Sequence, residues 1–133
     1  VGLGISWVWM GLEGKDSRYH KLQGADTVAV VRSLQEHGIS ILGSTIIGLE
    51  EHTPASLPAA IEHAVSHGTE FHQFMLYTPV PGTALFEEHR RSGTLVDPEW
   101  TDGSDWHGQS VFAHRHPHLP RGSEGGWLLR AFR

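Results

Sequence analysis

The chain has 133 residues, a formal net charge of −5 and no cysteine. Its length suits one domain or part of one, and its interleaved charges offer no basic surface for nucleic acid or an anionic membrane. Without cysteine it cannot form disulfides, thiolate zinc sites or sulfur-bound clusters. No apolar run approaches the roughly 20 residues of a membrane span and nothing resembles a signal peptide, so we expect a cytoplasmic protein.

The first predicted element is a buried strand. ISWVWMGL, beginning at Ile5, is aromatic and β-branched and is too short for a typical helix. The strand is expected to end near Glu13. Trp7 and Trp9 alternate along it, and core or interlayer packing is the expected role of this pair, with stacking on a cofactor as the alternative.

A helix and a second strand follow. The helix is predicted over Asp26–His37, with Asp26 or Thr27 as its N-cap and Gly38 as its stop. The second strand, ISILGSTIIGL, is predicted from Ile39 to about Leu49.

The second predicted helix begins after this strand. Thr53 is its expected N-cap and Pro54 its first residue, where the missing N–H costs nothing. An apolar face at helical spacing continues to the stop at His67-Gly68. Pro58 fits this helix poorly if the helix begins at Pro54.

The third strand and helix are separated by an abrupt turn. The strand FHQFMLY is predicted over Phe71–Tyr77, because Pro79 and Pro81 cannot donate to a sheet. Thr83 is the expected N-cap of the next helix, which is predicted to stop at Ser92-Gly93.

Strand and helix therefore alternate three times, which predicts parallel strands with helical crossovers. We expect an α/β fold, a partial barrel of about three parallel βα units, over residues 1–95. An irregular Trp-, His-, Pro- and Gly-rich extension is expected over residues 96–133, ending in what looks like a truncated helix, WLLRAFR.

Ligands of parallel α/β folds bind at the carboxyl ends of the strands. Two of those ends carry carboxylates, at Glu13 and at Glu50 and Glu51 after Gly48, and the third carries Tyr77 and Thr78. The extension carries alternating His114, His116 and His118, with Asp105 and His107 nearby. These could form an imidazole metal site or simply a polar loop, since prolines interrupt any regular strand there.

Three motifs in order, MGLEG, STIIGLEEHT and FHQFMLYTPVPGT, resemble the fourth to sixth βα units of the radical S-adenosylmethionine superfamily. The chain is most similar to the subgroup with a cobalamin-binding domain, and DWHGQSVF and RHPHLP in the extension also resemble it. The resemblance implies the C-terminal half of a barrel that cleaves S-adenosylmethionine to a 5'-deoxyadenosyl radical. Cobalamin-dependent methyl transfer is one outcome it implies.

The resemblance also implies cofactor-binding residues. Glu13 would bind the ribose of S-adenosylmethionine. Ser44, Ile46, Gly48 and Glu51 match a Gly-x-Ile-x-Gly-x-x-Glu pattern that supports the adenine, with serine replacing the first glycine. Contacts to adenine would fall on the end of the third strand, at Leu76, Tyr77 and Thr78.

The family's three-cysteine motif, which binds a [4Fe-4S] cluster, is missing from this chain. Truncation is the simplest explanation, with the N-terminal half of the same protein as the absent partner; a degenerate, noncatalytic relative is the other. The chain alone is then expected to be inactive and to self-associate, and the small-molecule substrate is not specified. Two other hypotheses stay open: a parallel α/β-barrel hydrolase or lyase using Glu13 with Glu50 or Glu51, and a noncatalytic His-rich metal-binding module.

Overall fold

The computed structural model describes residues 4–12, 25–96 and 111–133. The first three strands and helices are β1 (Trp7–Gly11), α1 (Thr27–Glu36), β2 (Ser40–Ile47), α2 (Leu57–Val65), β3 (Phe71–Leu76) and α3 (Ala84–Ser92). A last helix, α4 (Glu124–Ala131), follows. The predicted alternation of strands and helices is therefore confirmed.

The strands form one parallel three-stranded sheet in the order β1-β2-β3. Trp7 pairs with Ser40 and Gly11 with Ser44, which fixes the register of the first pair. Within the described ranges this sheet is open, with β1 and β3 at its two edges. The α/β class is thus confirmed, whereas the barrel is not formed by the described residues, because no further strand joins either edge.

The chain divides into two compact units. One takes in Val1–Ile46 and Pro58–Phe74, and the other takes in Ile47–Leu57 and Met75–Arg133. The division between residues 1–95 and 96–133 stays a prediction.

The core of the first unit lies between β1, β2 and α1. Leu12, Val31 and Ile41 are at most 2% exposed, and Val8 and Met10 pack against them. Because side chains alternate along a strand, Trp7 and Trp9 then lie on the other face, where they are 52% and 67% exposed. The expectation that these two tryptophans pack in the core is wrong for the described residues.

The uncovered face of the sheet carries an aromatic contact between its two edge strands. The rings of Trp7 and Phe71 lie 5.6 Å apart, and Phe71 is 62% exposed. Ser40, which pairs with Trp7 in the neighbouring strand, is small. A bulky residue is therefore absent from the position between the two rings.

Side-chain caps fix two helices where the sequence predicts them. Asp26 Oδ1 accepts a hydrogen bond from Ala29 N at 3.0 Å at the start of α1. Thr83 Oγ1 accepts from Phe86 N at 3.2 Å at the start of α3, and Gly93 ends that helix with a φ of 67°. Both N-caps and the stop at Gly93 are confirmed.

The predicted start of α2 is wrong. The helix begins at Leu57, and Thr53 instead closes a preceding turn in which its Oγ1 accepts from Ser56 N at 3.1 Å. Pro58 is then the second helical residue, where its missing N–H has no intrahelical partner to lose. This position removes the misfit that a start at Pro54 creates.

The C-terminal helix also differs from the prediction. It begins at Glu124 and so includes Gly125 and Gly126, rather than starting at Trp127. The Glu124 carboxylate accepts hydrogen bonds from Phe112 N at 3.0 Å and Gly122 N at 2.5 Å. This buried carboxylate fixes the start of the helix in a segment of weak helix propensity. Among the described residues, no helix has the length and apolar character needed to cross a membrane.

Candidate functional site

The candidate site lies where β2 and β3 end. β2 ends at Ile47, whose carbonyl accepts a hydrogen bond from Tyr77 N at 2.9 Å just after β3. Leu76 Cδ2 lies 3.9 Å from the point that a β-carbon on Gly48 would occupy. These contacts bring together the two segments that the sequence predicts to bind a ligand.

Gly48 makes the sharp exit from β2. Its φ is 73°, a conformation that favours glycine. The ring of Phe112 lies against it, so that an added β-carbon would stand 2.6 Å from Phe112 Cε1. The loop backbone is therefore closed on this side by a residue of the C-terminal extension.

His52 accepts hydrogen bonds from backbone N–H groups of this loop. Its Nδ1 accepts hydrogen bonds from Gly48 N and Leu49 N, both at 3.1 Å. Burial lowers the pKa of His52, Glu51 acts in the opposite direction, and His116 lowers the pKa further. The neutral imidazole is the form that can accept these bonds.

His116 forms a hydrogen bond with the Leu49 carbonyl of the same loop. Its Nε2 bonds to Leu49 O at 2.9 Å, while its Nδ1 accepts from His118 N at 3.0 Å and Leu119 N at 2.9 Å. Burial lowers the pKa of His116. Since Nδ1 accepts twice, the proton is assigned to Nε2, which donates to Leu49.

Tyr77 and His89 form a buried pair after β3. The Tyr77 hydroxyl lies 3.1 Å from His89 Nε2, and His89 Nδ1 lies 2.7 Å from Thr94 Oγ1. Thr94 donates its own hydroxyl proton to the His89 carbonyl. The two ring nitrogens of His89 therefore link Tyr77 to Thr94, and Glu50 Oε1 lies 3.8 Å from Nε2.

His114 is buried among aromatic rings and is 1% exposed. The ring centres of His89 and Tyr77 lie 4.8 Å and 5.1 Å from its own. Neither of its ring nitrogens has a hydrogen-bond partner among the described residues. Burial, with smaller contributions from His89 and His116, lowers the pKa of His114 to about 4, so its ring is neutral at pH 7.

The alternating histidines do not share a face. His114 is buried, His116 uses both nitrogens on backbone groups, and His118 is exposed. Within residues 4–12, 25–96 and 111–133, no group of three or more His, Cys, Asp or Glu side chains is arranged to hold a metal ion. Asp105 and His107 lie outside these ranges.

The predicted cofactor residues fall into three groups. Gly48, Glu51, Leu76, Tyr77 and Thr78 belong to one unit, where Leu76 and Tyr77 are buried, Glu51 is exposed and Thr78 is half-buried. Ser44 and Ile46 belong to β2 in the other unit, and Ile46 is 45% exposed. Glu13 lies outside the described residues. These assignments stay predictions.

Sequence reasoning did not place His52, His89 or His116 at the ends of β2 and β3, although it named His116 as a possible metal ligand. The available signal for His52 is its position four residues after the strand-ending Gly48. His116 has no comparable local signal, because its partner Leu49 is 67 residues away in the chain.

No family model matches the chain. It is 28% identical over 102 residues to an uncharacterized methyltransferase of Pyrococcus horikoshii, covering 73% of this chain and 22% of that protein. It is also 40% identical over 60 residues to bacteriochlorophyllide d C-12(1)-methyltransferase of Chlorobaculum tepidum, covering 45% of this chain and 13% of that protein. The chain thus spans about a fifth or less of the length of these relatives.

The comparisons correct the expectation of a radical S-adenosylmethionine enzyme. Both relatives are named as methyltransferases, and neither name describes radical cleavage. The predicted radical function is therefore wrong on this comparison. The [4Fe-4S] cluster and cobalamin were implied only by that resemblance and lose their support with it.

Proposed function

We propose that the chain is part of a methyltransferase that uses S-adenosylmethionine, and that it supplies one edge of the cofactor site. The observation that carries the proposal is its similarity, over 73% of its length, to a protein named as a methyltransferase. The second relative is a methyltransferase by name as well. The parallel α/β arrangement supports the proposed position, since such folds bind ligands at the carboxyl ends of their strands.

The side chains after β2 and β3 fit the adenosine part of this cofactor. Glu51 is an exposed carboxylate that can accept hydrogen bonds from ribose hydroxyls, and Thr78 offers a half-buried hydroxyl near the end of β3. Among the described residues, the hydrogen bond of Thr78 Oγ1 is a long one, 3.4 Å, to Leu76 O. Its hydroxyl can therefore turn toward a ligand at little cost.

Other residues of the same edge suit a supporting role. Gly48 N already donates to His52, and Phe112 lies against Gly48. Leu76 and Tyr77 are 3% and 4% exposed, and the Tyr77 hydroxyl bonds to His89. We therefore propose Glu51 and Thr78 for direct contacts, with the three other residues as the framework that orients them.

S-adenosylmethionine, when bound, supplies an electrophilic methyl group on its sulfonium sulfur. Residues of this edge would bind and orient the adenosine and so position that methyl group for a nucleophile. Glu13, Ser44 and Ile46 remain predicted contacts. Because the relatives are several times longer than the matched segment, we propose that the rest of such a protein is the partner that binds the remainder of the cofactor and the substrate, while this edge binds the adenosine.

Calorimetric titration with S-adenosylhomocysteine, the demethylated cofactor, tests the proposal. Glu51→Gln and Thr78→Val should each weaken binding by about tenfold or less, as expected for one lost hydrogen bond to a ligand. Glu36→Gln, an exposed carboxylate at the end of α1, is the matched control and should bind as the wild type does. Failure of the wild-type chain to bind, or equal effects in all three variants, would contradict the proposal.

The alternative hydrolase or lyase gains no comparable support. It requires Glu13, which lies outside the described residues, to act with Glu50 or Glu51. Among the described residues, Glu50 Oε1 lies 3.8 Å from His89 Nε2, and this contact gives no support to Glu50 as half of an acid–base pair. We therefore offer no second function.

A further inference from the structure

We propose that His52 and His116 are positioning residues that together fix the conformation of the Gly48–Leu49 loop. This conformation then requires that residues 111–119 pack against the loop. We call the hydrogen bonds of the two histidines to the loop the lock. His52 binds the loop through two N–H groups, and His116 binds it through the Leu49 carbonyl. The role in cofactor binding rests on the proposed function, because it requires that this loop belong to the cofactor site.

The contacts of His52 are specific for a neutral ring. Its Nδ1 receives two backbone N–H groups at 3.1 Å, and a proton on this nitrogen would abolish both bonds. The local turn supports the same arrangement, since His52 N donates to Leu49 O at 2.8 Å. His52 therefore closes a short loop that starts at the left-handed Gly48.

His116 extends the lock to the C-terminal segment. Its Nδ1 orders its own turn by accepting from His118 N and Leu119 N, while Nε2 reaches Leu49. Phe112 from the same segment lies against Gly48. The loop therefore has a polar and an apolar contact with residues 111–119, and both would be lost together if this segment moved away.

Both imidazoles bond to backbone groups of Leu49, and each also accepts hydrogen bonds on a nitrogen that can be protonated. The lock is therefore sensitive to pH. Protonation of His52 Nδ1 breaks the hydrogen bonds from Gly48 N and Leu49 N. Protonation of His116 Nδ1 breaks those from His118 N and Leu119 N, which order its turn. The titratable groups that act on these rings are Glu51 and His116 for His52, and Glu50 and His118 for His116. The carboxylates favour protonation, whereas burial and the other imidazoles oppose it.

The direction of the pH effect follows from linkage. Burial lowers the pKa of His52 and of His116 below the usual 6.5, so the unfolded or released segment binds protons that the locked form excludes. The lock is therefore complete above about pH 6.5 and weakens as the pH falls below that value. The expected change is a release of the loop on acidification, not on alkalinisation.

Hydrogen exchange of the Gly48 and Leu49 amides, expressed as protection relative to the unstructured chain, measures the lock directly. His52→Leu should reduce protection at pH 7.5 by about fivefold to tenfold, the effect of one net hydrogen bond. His52→Asn places an amide oxygen near the position of Nδ1. It should restore protection and make it less dependent on pH between 5 and 7.5 than in the wild type, with the remaining dependence due to His116.

Two substitutions at position 116 separate its contacts. His116→Gln retains a donor that can reach the Leu49 carbonyl but loses the Nδ1 acceptor, whereas His116→Asn retains that acceptor and loses the reach to Leu49. If the link to Leu49 positions the loop, His116→Asn should lower the protection of Gly48 and Leu49 more than His116→Gln does. His37→Asn, at an exposed histidine after α1, is the control.

Binding of S-adenosylhomocysteine by the same variants separates the two proposals. Weaker binding in His52→Leu and His116→Asn, with recovery in His52→Asn, supports positioning of the cofactor loop. If the wild-type chain binds no S-adenosylhomocysteine, the proposed function fails, but the exchange data still decide the lock. Protection within twofold of wild type in both His52→Leu and His116→Asn would overturn the inference.

Discussion

The ring of Phe112 lies against the backbone of Gly48, at the exit from β2. A β-carbon at position 48 would stand 2.6 Å and 2.8 Å from Cε1 and Cζ of this ring, and Phe112 is 1% exposed. Two constraints therefore require glycine at position 48: its φ of 73° and the close packing of this ring. Phe112, which packs against the candidate loop, thus lies 64 positions further along the chain than Gly48.

The double requirement predicts a large cost for Gly48→Ala. We expect roughly 1 kcal/mol from the backbone conformation and about 1–3 kcal/mol more from overpacking against Phe112. Gly93→Ala is the matched control, because Gly93 has a φ of 67° and nothing within 4 Å of its added β-carbon. Urea unfolding should give Gly48→Ala the larger loss, and equal losses in the two variants would contradict the packing argument.

His114→Leu should not destabilise the protein at neutral pH. The buried ring has no hydrogen-bond partner among the described residues, so an apolar side chain removes a desolvation cost of about 1–3 kcal/mol. We expect the free energy of unfolding at pH 7.5 to be unchanged or higher. A loss above about 2 kcal/mol, the size of a broken buried hydrogen bond with its orphaned partner, would show that this imidazole has a polar partner.

The same substitution should reduce the dependence of stability on pH. The pKa of His114 is lowered to about 4, so the unfolded chain binds a proton that the folded chain excludes between pH 6.5 and 4. Wild-type stability should therefore fall as the pH drops through this window, and His114→Leu should fall less. Urea unfolding at pH 7.5 and 5.0 measures the difference, with His118→Leu, an exposed position, as the control.

Tyr77 and His89 should show favourable coupling. Tyr77→Phe removes the hydroxyl that bonds to His89 Nε2 at 3.1 Å and leaves a buried ring nitrogen without this partner, at a cost of about 1–2 kcal/mol. A double-mutant cycle with His89→Leu should give a coupling energy of about 0.5–1.5 kcal/mol. Additive losses within experimental error would contradict a hydrogen bond between these two side chains.

The exposed aromatic face predicts self-association of the 133-residue chain. Trp7, Trp9 and Phe71 are between 52% and 67% exposed and lie on an uncharged sheet face, on the two edge strands β1 and β3. Trp7→Ser combined with Trp9→Ser should lower the sedimentation coefficient at high concentration toward the monomer value. Val65→Ser, an exposed apolar position at the end of α2, should leave association unchanged; a monomeric wild type at all concentrations would contradict this account.

Local signals predicted most of the helices and strands. Asp26, Thr83 and Gly93 act through contacts with residues at most five positions away, and such contacts are visible in the sequence. The start of α2 was mispredicted because Thr53 caps either a helix or a turn, and only the bond from Ser56 distinguishes the two. Local sequence signals of this kind identify possible capping residues, but they do not show whether a helix or a turn follows.

Long-range contacts account for what the sequence did not reveal. His116 meets Leu49 across 67 positions and His89 meets Tyr77 across 12, so neither pairing has a local periodicity or motif. The exposure of Trp7 and Trp9 also depends on which face α1 covers, and this is decided by the packing of Val31. The strand-end residues were chosen as candidates because parallel α/β folds bind ligands at the carboxyl ends of their strands, and their role stays a prediction.

The most direct test of the account is an amide chemical-shift titration of the chain with S-adenosylhomocysteine. We expect saturable shifts at residues 48–51 and 77–78, which follow β2 and β3, and loss of these shifts in the combined Glu51→Gln and Thr78→Val variant. Saturable shifts confined to other parts of the chain, or no binding by the folded protein, would contradict the claim that these strand ends form one edge of a methyl-donor site.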